Sequence, residues 1–321
     1  MLLLKLTVIA VIGSLVLLLF INSSLINESN GIRSPTPVYR FYAVSYGRLG
    51  NHLFNLASTY GLARSYKRLL VLPPDFVANI KNFLNMTHLS HMDYETVFAP
   101  DTVALQHFKW GIYDEKMDVS NDEDLILGWN LQSFKYFQPY TQDMMNMMVI
   151  RDDLVHEAQD FLHTIECSIT SNCTFIALHV RRGDIVAKKK YEYGHVTAPS
   201  QYIKSAMMYY LTKYTNVHFI VCSDSIEWCK KDEPHLQTGG LTTTIKYSVD
   251  FSPSTSAEFD LALLAQCNHT IITVGTYGWW AAWLAGGEAV YYNQPCRNGS
   301  DFEKKYKETD YFPPMWIGMG G

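Results

Sequence analysis

Neither a CxxC pair nor a cluster of Cys and His occurs in this 321-residue chain, and without ligands at metal spacing a structural zinc site is excluded. A basic excess is missing as well. With 26 Lys and Arg against 31 Asp and Glu, a net charge of −5, and no basic stripe interleaved with aromatics, nucleic acid is excluded as a partner. Cysteine is absent before Cys167; the six present (Cys167, Cys173, Cys222, Cys229, Cys267, Cys296) all lie in the C-terminal half. Their even number suits disulfides in an oxidising compartment, but spacing does not choose the pairing.

Long apolar runs are also scarce, with one exception. Leu2 to Ile21 is apolar apart from Lys5, Thr7, Gly13 and Ser14, close to the about 20 residues a helix needs to cross a bilayer. No Lys or Arg follows Lys5 until Arg33, so the positive-inside bias predicts a cytosolic tail (1–5), a transmembrane signal-anchor (6–21) and a polar stem (22–38). A cleaved signal peptide is the competing reading, although no clear small-x-small cleavage site follows Ile21. Asn-x-Ser/Thr acceptors at Asn22, Asn27, Asn85, Asn172, Asn268 and Asn298 agree with a luminal address. The aromatic content, 14%, suits carbohydrate contact and a dense core equally.

The stretch with most chemistry is Thr174-Phe175-Ile176-Ala177-Leu178-His179-Val180-Arg181-Arg182-Gly183-Asp184. Its apolar first half predicts a strand covered on both faces, at the centre of a parallel sheet. It ends in charge, where open α/β sheets bind their ligands. Two adjacent guanidiniums match phosphate oxygens bidentately, so a diphosphate site is expected there. The plainer alternative is a solvated turn.

Around it the chain alternates strands and helices. Tyr39–Val44 predicts a first strand, followed by a Gly47-x-x-Gly50 loop and a helix from about His52 to Lys67, with Leu53, Leu56, Tyr60 and Ala63 at helical spacing. That layout suits an anion at a helix N-terminus, and equally an ordinary turn. Leu69–Leu72 reads as a strand closed by Pro73-Pro74, and helical stretches are expected near 76–86 and 144–165. Asp122-Glu123-Asp124 has the form of a metal-holding Asp-x-Asp pair but lies in an acidic run that reads as exposed loop.

After Asp184, Lys188–His195 reads as a mobile loop, then a helix from Ser200 to Tyr214 capped by Ser200. Val217–Cys222 predicts a second buried strand, ending in Ser223-Asp224-Ser225. Thr255 and Glu258 form a capping box for a helix to Cys267, in which Asp260, Leu263, Leu264 and Cys267 share a face. A carboxylate there needs a partner. Thr270–Val274 is the next strand, then Gly275-Thr276-Tyr277-Gly278, a helix Trp279–Ala285 stopped by Gly286-Gly287, and a last strand Glu288–Tyr292. This alternation, without heptads or internal repeats, predicts an α/β fold: two Rossmann-like halves (39–165 and 166–321) facing a cleft.

Taken together, Gly47-Arg48-Leu49-Gly50-Asn51, His179-Val180-Arg181-Arg182-Gly183-Asp184 and the run from Asp260 through Cys267-Asn268-His269-Thr270 to Gly275-Thr276-Tyr277-Gly278-Trp279-Trp280-Ala281-Ala282 resemble the GDP-fucose-dependent galactoside alpha-(1,2)-fucosyltransferases, over nearly the whole luminal part. The His-x-Arg-Arg-x-Asp tract is shared with alpha-(1,6)- and protein O-fucosyltransferases, so it speaks for the donor; the C-terminal run speaks for the linkage. One departure is His52, where vertebrate members usually carry Gln.

The resemblance implies a single-pass type II Golgi membrane protein with a luminal GT-B fold, acceptor on the N-terminal half and GDP-fucose on the C-terminal half. It implies inverting transfer of fucose to the 2-hydroxyl of a terminal β-galactose on glycoprotein or glycolipid glycans, with no metal and no other cofactor. A second copy of the chain stays open as a partner. For catalysis the expected residues are Arg181, Asp184 and Glu192; for the donor, His179, Arg182, Gly50, Asn51, Ser223, Asp224, Asp260, Thr276, Tyr277 and Gly278. Arg181 suits the β-phosphate, with Arg182 assisting or holding the loop. The N–H groups around Thr276–Gly278 suit a second anion contact. Asp260 suits the guanine edge, where one carboxylate accepts from both ring N1–H and the exocyclic amine. The base is open between Asp184, which can instead orient an arginine, and Glu192 or His195. A fucosyltransferase of other linkage and a catalytically inactive glycan-binding protein of the same fold are the alternatives.

Overall fold

Short leucine-rich strands and one long helix build the first layer. A computed structural model describes residues 38–321 apart from 91, 107–110, 116–121, 129, 166–172, 238–246 and 254. The cytosolic tail, the transmembrane segment and the stem up to residue 37 lie outside the described residues, as do Cys167 and the acceptors Asn22, Asn27 and Asn172. The first layer runs β1 (Arg40–Tyr42), α1 (Leu49–Tyr66), β2 (Leu69–Val71), α2 (Pro74–Ile80), α3 (Met86–Leu89), β3 (Tyr94–Glu95), β4 (Ala104–Gln106) and β5 (Leu125–Leu127). Its strands pair in the order β3-β2-β1-β5-β4, all parallel. Two helices, α4 (Thr141–Met147) and α5 (Asp152–His163), follow.

The second layer runs β6 (Thr174–Val180), α6 (Lys188–Tyr193), α7 (Ser200–Lys213), β7 (Val217–Ser223), α8 (Ile226–Lys231), β8 (Tyr247–Phe251), α9 (Ala257–Ala265), β9 (His269–Ile272), α10 (Thr276–Ala285), β10 (Ala289–Tyr292), α11 (Glu308–Tyr311) and β11 (Ile317–Met319). It pairs β8-β7-β6-β9-β10-β11, all parallel, with β6 and β7 both interior, each flanked by a strand on either side, as their apolar runs require. Strand order reverses between β6 and β9, which makes the carboxyl ends of those two strands the switch point of a doubly wound sheet.

One buried apolar cluster joins the layers: Phe41, Leu53 and Phe54 of the first share it with Phe259, Trp279 and Trp280 of the second. The other face of the second sheet has its own cluster, with Ile176, Leu178, Tyr202 and Tyr210. The C-terminal segment is tied to the first layer. Asp310 is buried, accepts from Lys135 Nζ at 2.6 Å and from the backbone N–H of Tyr113, while the Trp279 indole donates to the carbonyl of Tyr311.

Several local expectations are corrected. Helix α1 starts three residues earlier than its spacing predicts, with Arg48 as N-cap. It is buried on nearly every side, because its polar Asn55 and Ser58 donate to the carbonyls of Val44 and Leu131. The helical stretch near 144–165 breaks where Ile150 bridges Leu84. Ser200 is not a cap: Pro199 holds that position and the Ser200 hydroxyl donates to Glu233. The cap of α9 is Ser256, which accepts from the N–H of Phe259, and not Thr255. Lys188–His195 is not a loop; α6 fills it, ended by Gly194 at φ +120°, a conformation suited to glycine. Nor is β10 the last strand, since β11 pairs beyond it. Asp124 of the acidic run is fixed to the scaffold, accepting from the N–H of Arg40 at 2.8 Å, while Asp122 and Glu123 are exposed. Cys173 is disulfide-bonded; Cys222, Cys229, Cys267 and Cys296 are free thiols.

Candidate active site

The carboxyl end of β6 carries alternating charge. Arg181 is anchored by its backbone, whose N–H donates to Thr273 Oγ1 at 2.8 Å, and its side chain is only 12% exposed. Its guanidinium pairs with two carboxylates, Asp184 and Asp224. Burial and the neighbouring Arg48 pull its pKa below the ordinary arginine value, yet a guanidinium keeps its charge in proteins. Asp184 in turn pairs with Arg48 at 3.1 Å and lies 4.0 Å from Lys190. Partial burial pushes the pKa of Asp184 up; the three cations Arg181, Arg48 and Lys190 outweigh it and hold the carboxyl below its usual range.

Asp224, at the end of β7, does more than pair with Arg181. It accepts from the backbone N–H of Arg182 at 2.9 Å, and a Cβ on Gly183 (φ +22°) would overlap its Oδ2, so any larger residue there would have to push Asp224 aside. Ser223 is buried and accepts from the N–H of Ser225, whose hydroxyl accepts from the N–H of Gly183. Arg182 points elsewhere: its guanidinium lies 3.7 Å from the centroid of Trp228, a cation–π contact. Of the two arginines, Arg181 is therefore the one held among the carboxylates, and Arg182 braces the loop against Trp228.

Two helix N-termini meet beside this cluster. Gly275 (φ +93°) turns the chain after β9, and α10 opens at Thr276, so Thr276, Tyr277 and Gly278 form its first turn, where N–H groups have no intrahelical acceptor. The first turn of α1 abuts it. A Cβ on Gly50 would lie 2.7 Å from the backbone N of Tyr277, and Asn51 Oδ1 accepts from Thr276 Oγ1 at 2.7 Å. His179 packs under the same turn, its ring 5.1 Å from that of Tyr277, and a Cβ on Gly278 would lie 2.5 Å from its Nδ1. Among the described residues nothing hydrogen-bonds that nitrogen. Burial, aided by Arg181, lowers the pKa of His179 to about 3. The imidazole is therefore neutral near pH 7.

Asp260 lies in the first half of α9, 8% exposed, and accepts from the hydroxyl of Ser252 beyond β8. The Cys222 thiol lies against its carbonyl, and Tyr277 donates to the carbonyl of Ala257 at the start of the same helix. Glu192 is not brought into the cluster. Its side chain is 61% exposed and pairs with Lys188 along α6. His195 packs on Phe302 with ring centroids 4.0 Å apart, and burial together with Lys190 lowers its pKa to about 4. His52 is buried, edge-on to Phe76 in the first-layer core. Reasoning from sequence assigned no role to Arg48, Thr273 or Trp228. For Arg48 a signal was present: a cation at the mouth of the Gly47-x-x-Gly50 turn, next to a helix start. Among the described residues no group of His, Cys, Asp or Glu could hold a metal ion.

Comparison with known proteins gives a consistent result. The model of glycosyl transferase family 11 matches residues 19–320. Galactoside alpha-(1,2)-fucosyltransferase 1 of Homo sapiens is 31% identical over 281 residues, covering 85% of this chain and 73% of that protein. Galactoside alpha-(1,2)-fucosyltransferase 2 of Sus scrofa is 28% identical over 275 residues, covering 85% and 78%. Among solved structures, a mutant of Arabidopsis thaliana FUT1 in complex with GDP aligns with a TM-score of 0.54 at 13% identity, over 88% of this chain and 77% of that one, a likeness of fold.

Proposed function

The chain belongs to glycosyl transferase family 11, and from that premise we propose that it transfers L-fucose from GDP-β-L-fucose to the 2-hydroxyl of a terminal β-galactose, with inversion. The observation that carries the reading is the largely buried Arg181 guanidinium beside the first turn of α10, at the switch point of a parallel sheet. A leaving diphosphate needs its developing charge met by a metal or by fixed donors, and an arginine with a helix N-terminus supplies fixed donors.

In this account Arg181 holds the β-phosphate and the N–H groups of Thr276–Gly278 hold the other phosphate oxygens. Gly50 and Asn51 seat the two helix starts against each other. Ser223, Asp224, Arg182 and His179 shape the loop and the floor beneath Arg181. Asp260 accepts from the guanine edge. The galactose 2-hydroxyl oxygen attacks fucose C1, the bond from C1 to the β-phosphate oxygen breaks, and its electron pair leaves with GDP. The hydroxyl proton goes to Asp184, on the loop next to Arg181, in preference to Glu192, which is paired with Lys188 on the exposed side of α6.

The two parallel sheets fit a GT-B arrangement with the acceptor on the first layer, and the apolar run 6–21 fits a type II Golgi anchor, with glycoprotein or glycolipid galactosides as acceptors. The test is incubation of the full chain with GDP-fucose and a panel of β-galactosides, followed by linkage analysis. Fucose on the 2-hydroxyl is the expected product. Fucose at another hydroxyl refutes the linkage, and GDP binding without turnover on any galactoside refutes the enzyme.

A further inference from the structure

The Arg181 guanidinium is doubly occupied by carboxylates, Asp184 on one nitrogen and Asp224 on another. A phosphate that takes a bidentate grip on the same fork must displace one of them. The two are not held alike. Asp224 is 26% exposed, accepts also from the N–H of Arg182, and is walled in by Gly183. Asp184 is 47% exposed and its contacts are all to cationic side chains: Arg181, Arg48 at 3.1 Å and Lys190 at 4.0 Å. Arg48 itself is 70% exposed, on the turn that leads into α1.

We infer that Asp184 is an exchangeable counter-anion: its carboxylate occupies the place between Arg48 and Arg181 that the donor's diphosphate takes, and it swings out when the donor binds. Asp224 remains and is the positioning residue that keeps Arg181 aimed. Arg48 thereby becomes the second arm of the diphosphate clamp, contributed by the first layer. The exchange trades one anion for another on the same two guanidiniums, so it leaves neither cation unpaired. It also releases Asp184 from the cations that hold its pKa down, so the carboxylate becomes a better base only once the donor is in place.

The inference rests on the diphosphate reading of the site and is tested by GDP binding to the full chain, measured calorimetrically for the wild type, Asp184→Asn and Asp224→Asn, with guanosine as the phosphate-free control. Removing the competitor should tighten GDP binding roughly two- to tenfold, the range for losing one or two exposed ion pairs. Asp224→Asn should weaken it about tenfold or more, because a partly buried cation loses its fixed partner. Guanosine binding should not respond to Asp184→Asn. The opposite signs matter, since a general effect of deleting one negative charge would tighten GDP binding in both variants. Asp184→Ala should act in the same direction as Asp184→Asn, and Arg48→Ala should weaken GDP binding. Unchanged or weaker GDP binding in both Asp184 variants overturns the exchange. A wild type that binds neither GDP nor inorganic pyrophosphate overturns the diphosphate reading itself, and the exchange with it.

Discussion

Gly50→Ala is the smallest change that reaches the meeting point of the two helices. The added Cβ would lie 2.7 Å from the backbone N of Tyr277, 2.8 Å from the carbonyl carbon of Thr276 and 2.8 Å from Thr276 Oγ1. Two of the three atoms are backbone, so no rotamer change relieves the overlap. Restoring ordinary contact near 3.5 Å requires the first turns of α1 and α10 to part by roughly 0.8 Å. Overpacking of this kind costs about 1–3 kcal/mol, of which alanine's better helix propensity offsets about 0.5–1. The net loss, roughly 0–2.5 kcal/mol, corresponds to a fall in Tm of up to about 10 °C for a domain of this size. Turnover should suffer more. A displacement approaching 1 Å between the α10 N-terminus and Arg181 is expected to lower the fucosyl-transfer rate by about 10²-fold. The assay pairs a thermal melt with initial rates. Gly61→Ala serves as the control, because its Cβ would overlap the backbone of Tyr136 and Phe137 and not that of Thr276 and Tyr277. It should destabilise at least as much without a selective loss of GDP affinity. A Gly50→Ala enzyme within twofold of the wild-type rate would show that the contact between the two helix starts does not set the position of the α10 N-terminus.

Three further outcomes are expected. If Arg181 and a helix start take the place of a cation, initial rates should survive excess EDTA; complete loss restored by Mn²⁺ would contradict this. If Asp260 accepts from guanine, the wild type should prefer GDP over IDP by ~1–3 kcal/mol, the cost of an unmade buried hydrogen bond. Asp260→Asn should then bind GDP weakly and lose most of that preference at an unchanged Tm, whereas a lowered Tm with the preference intact would assign Asp260 and Ser252 to the scaffold. For His179 the folded pKa, about 3, lies below the ordinary 6.5, so only the unfolded chain gains a proton between those values and stability falls as the pH drops through that window. At pH 5 the loss is about 2 kcal/mol relative to pH 7. Urea midpoints should therefore fall less between pH 7 and pH 5 in His179→Asn than in the wild type, and equal slopes would show that His179 does not titrate as described.

Strands β6 and β7 were legible because an unbroken apolar run is what a strand covered on both faces demands, and both are buried almost throughout. Strands β3 and β4 were not. Tyr94-Glu95 is half-buried and Ala104-Leu105 exposed, so these strands carry little apolar signal. The helix starts at the site were misread for a more specific reason. Each of the pairs Gly47/Gly50 and Gly275/Gly278 looks like a turn, but only the first member turns the chain, at φ +85° and +93°. The second lies inside the helix and admits close approach, Gly50 to Thr276 and Tyr277, Gly278 to His179. Those partners are distant in sequence, with Asn51 and Thr276 225 positions apart, so local pattern cannot separate a turning glycine from a packing one. Asp260 stood out because a carboxylate on an apolar helix face is an anomaly that needs a partner, while that partner, the hydroxyl of Ser252, left no such mark.

The measurement that bears most directly on the account is the single-turnover rate of fucosyl transfer from GDP-fucose to a β-galactoside by the wild type and by Arg181→Lys. Lysine keeps the positive charge and loses the planar fork, so the rate should fall by roughly 10²–10³-fold, the scale for losing one donor to a developing charge, with Tm little changed. An Arg181→Lys enzyme that transfers fucose at near the wild-type rate would contradict the assignment of Arg181 to the leaving diphosphate.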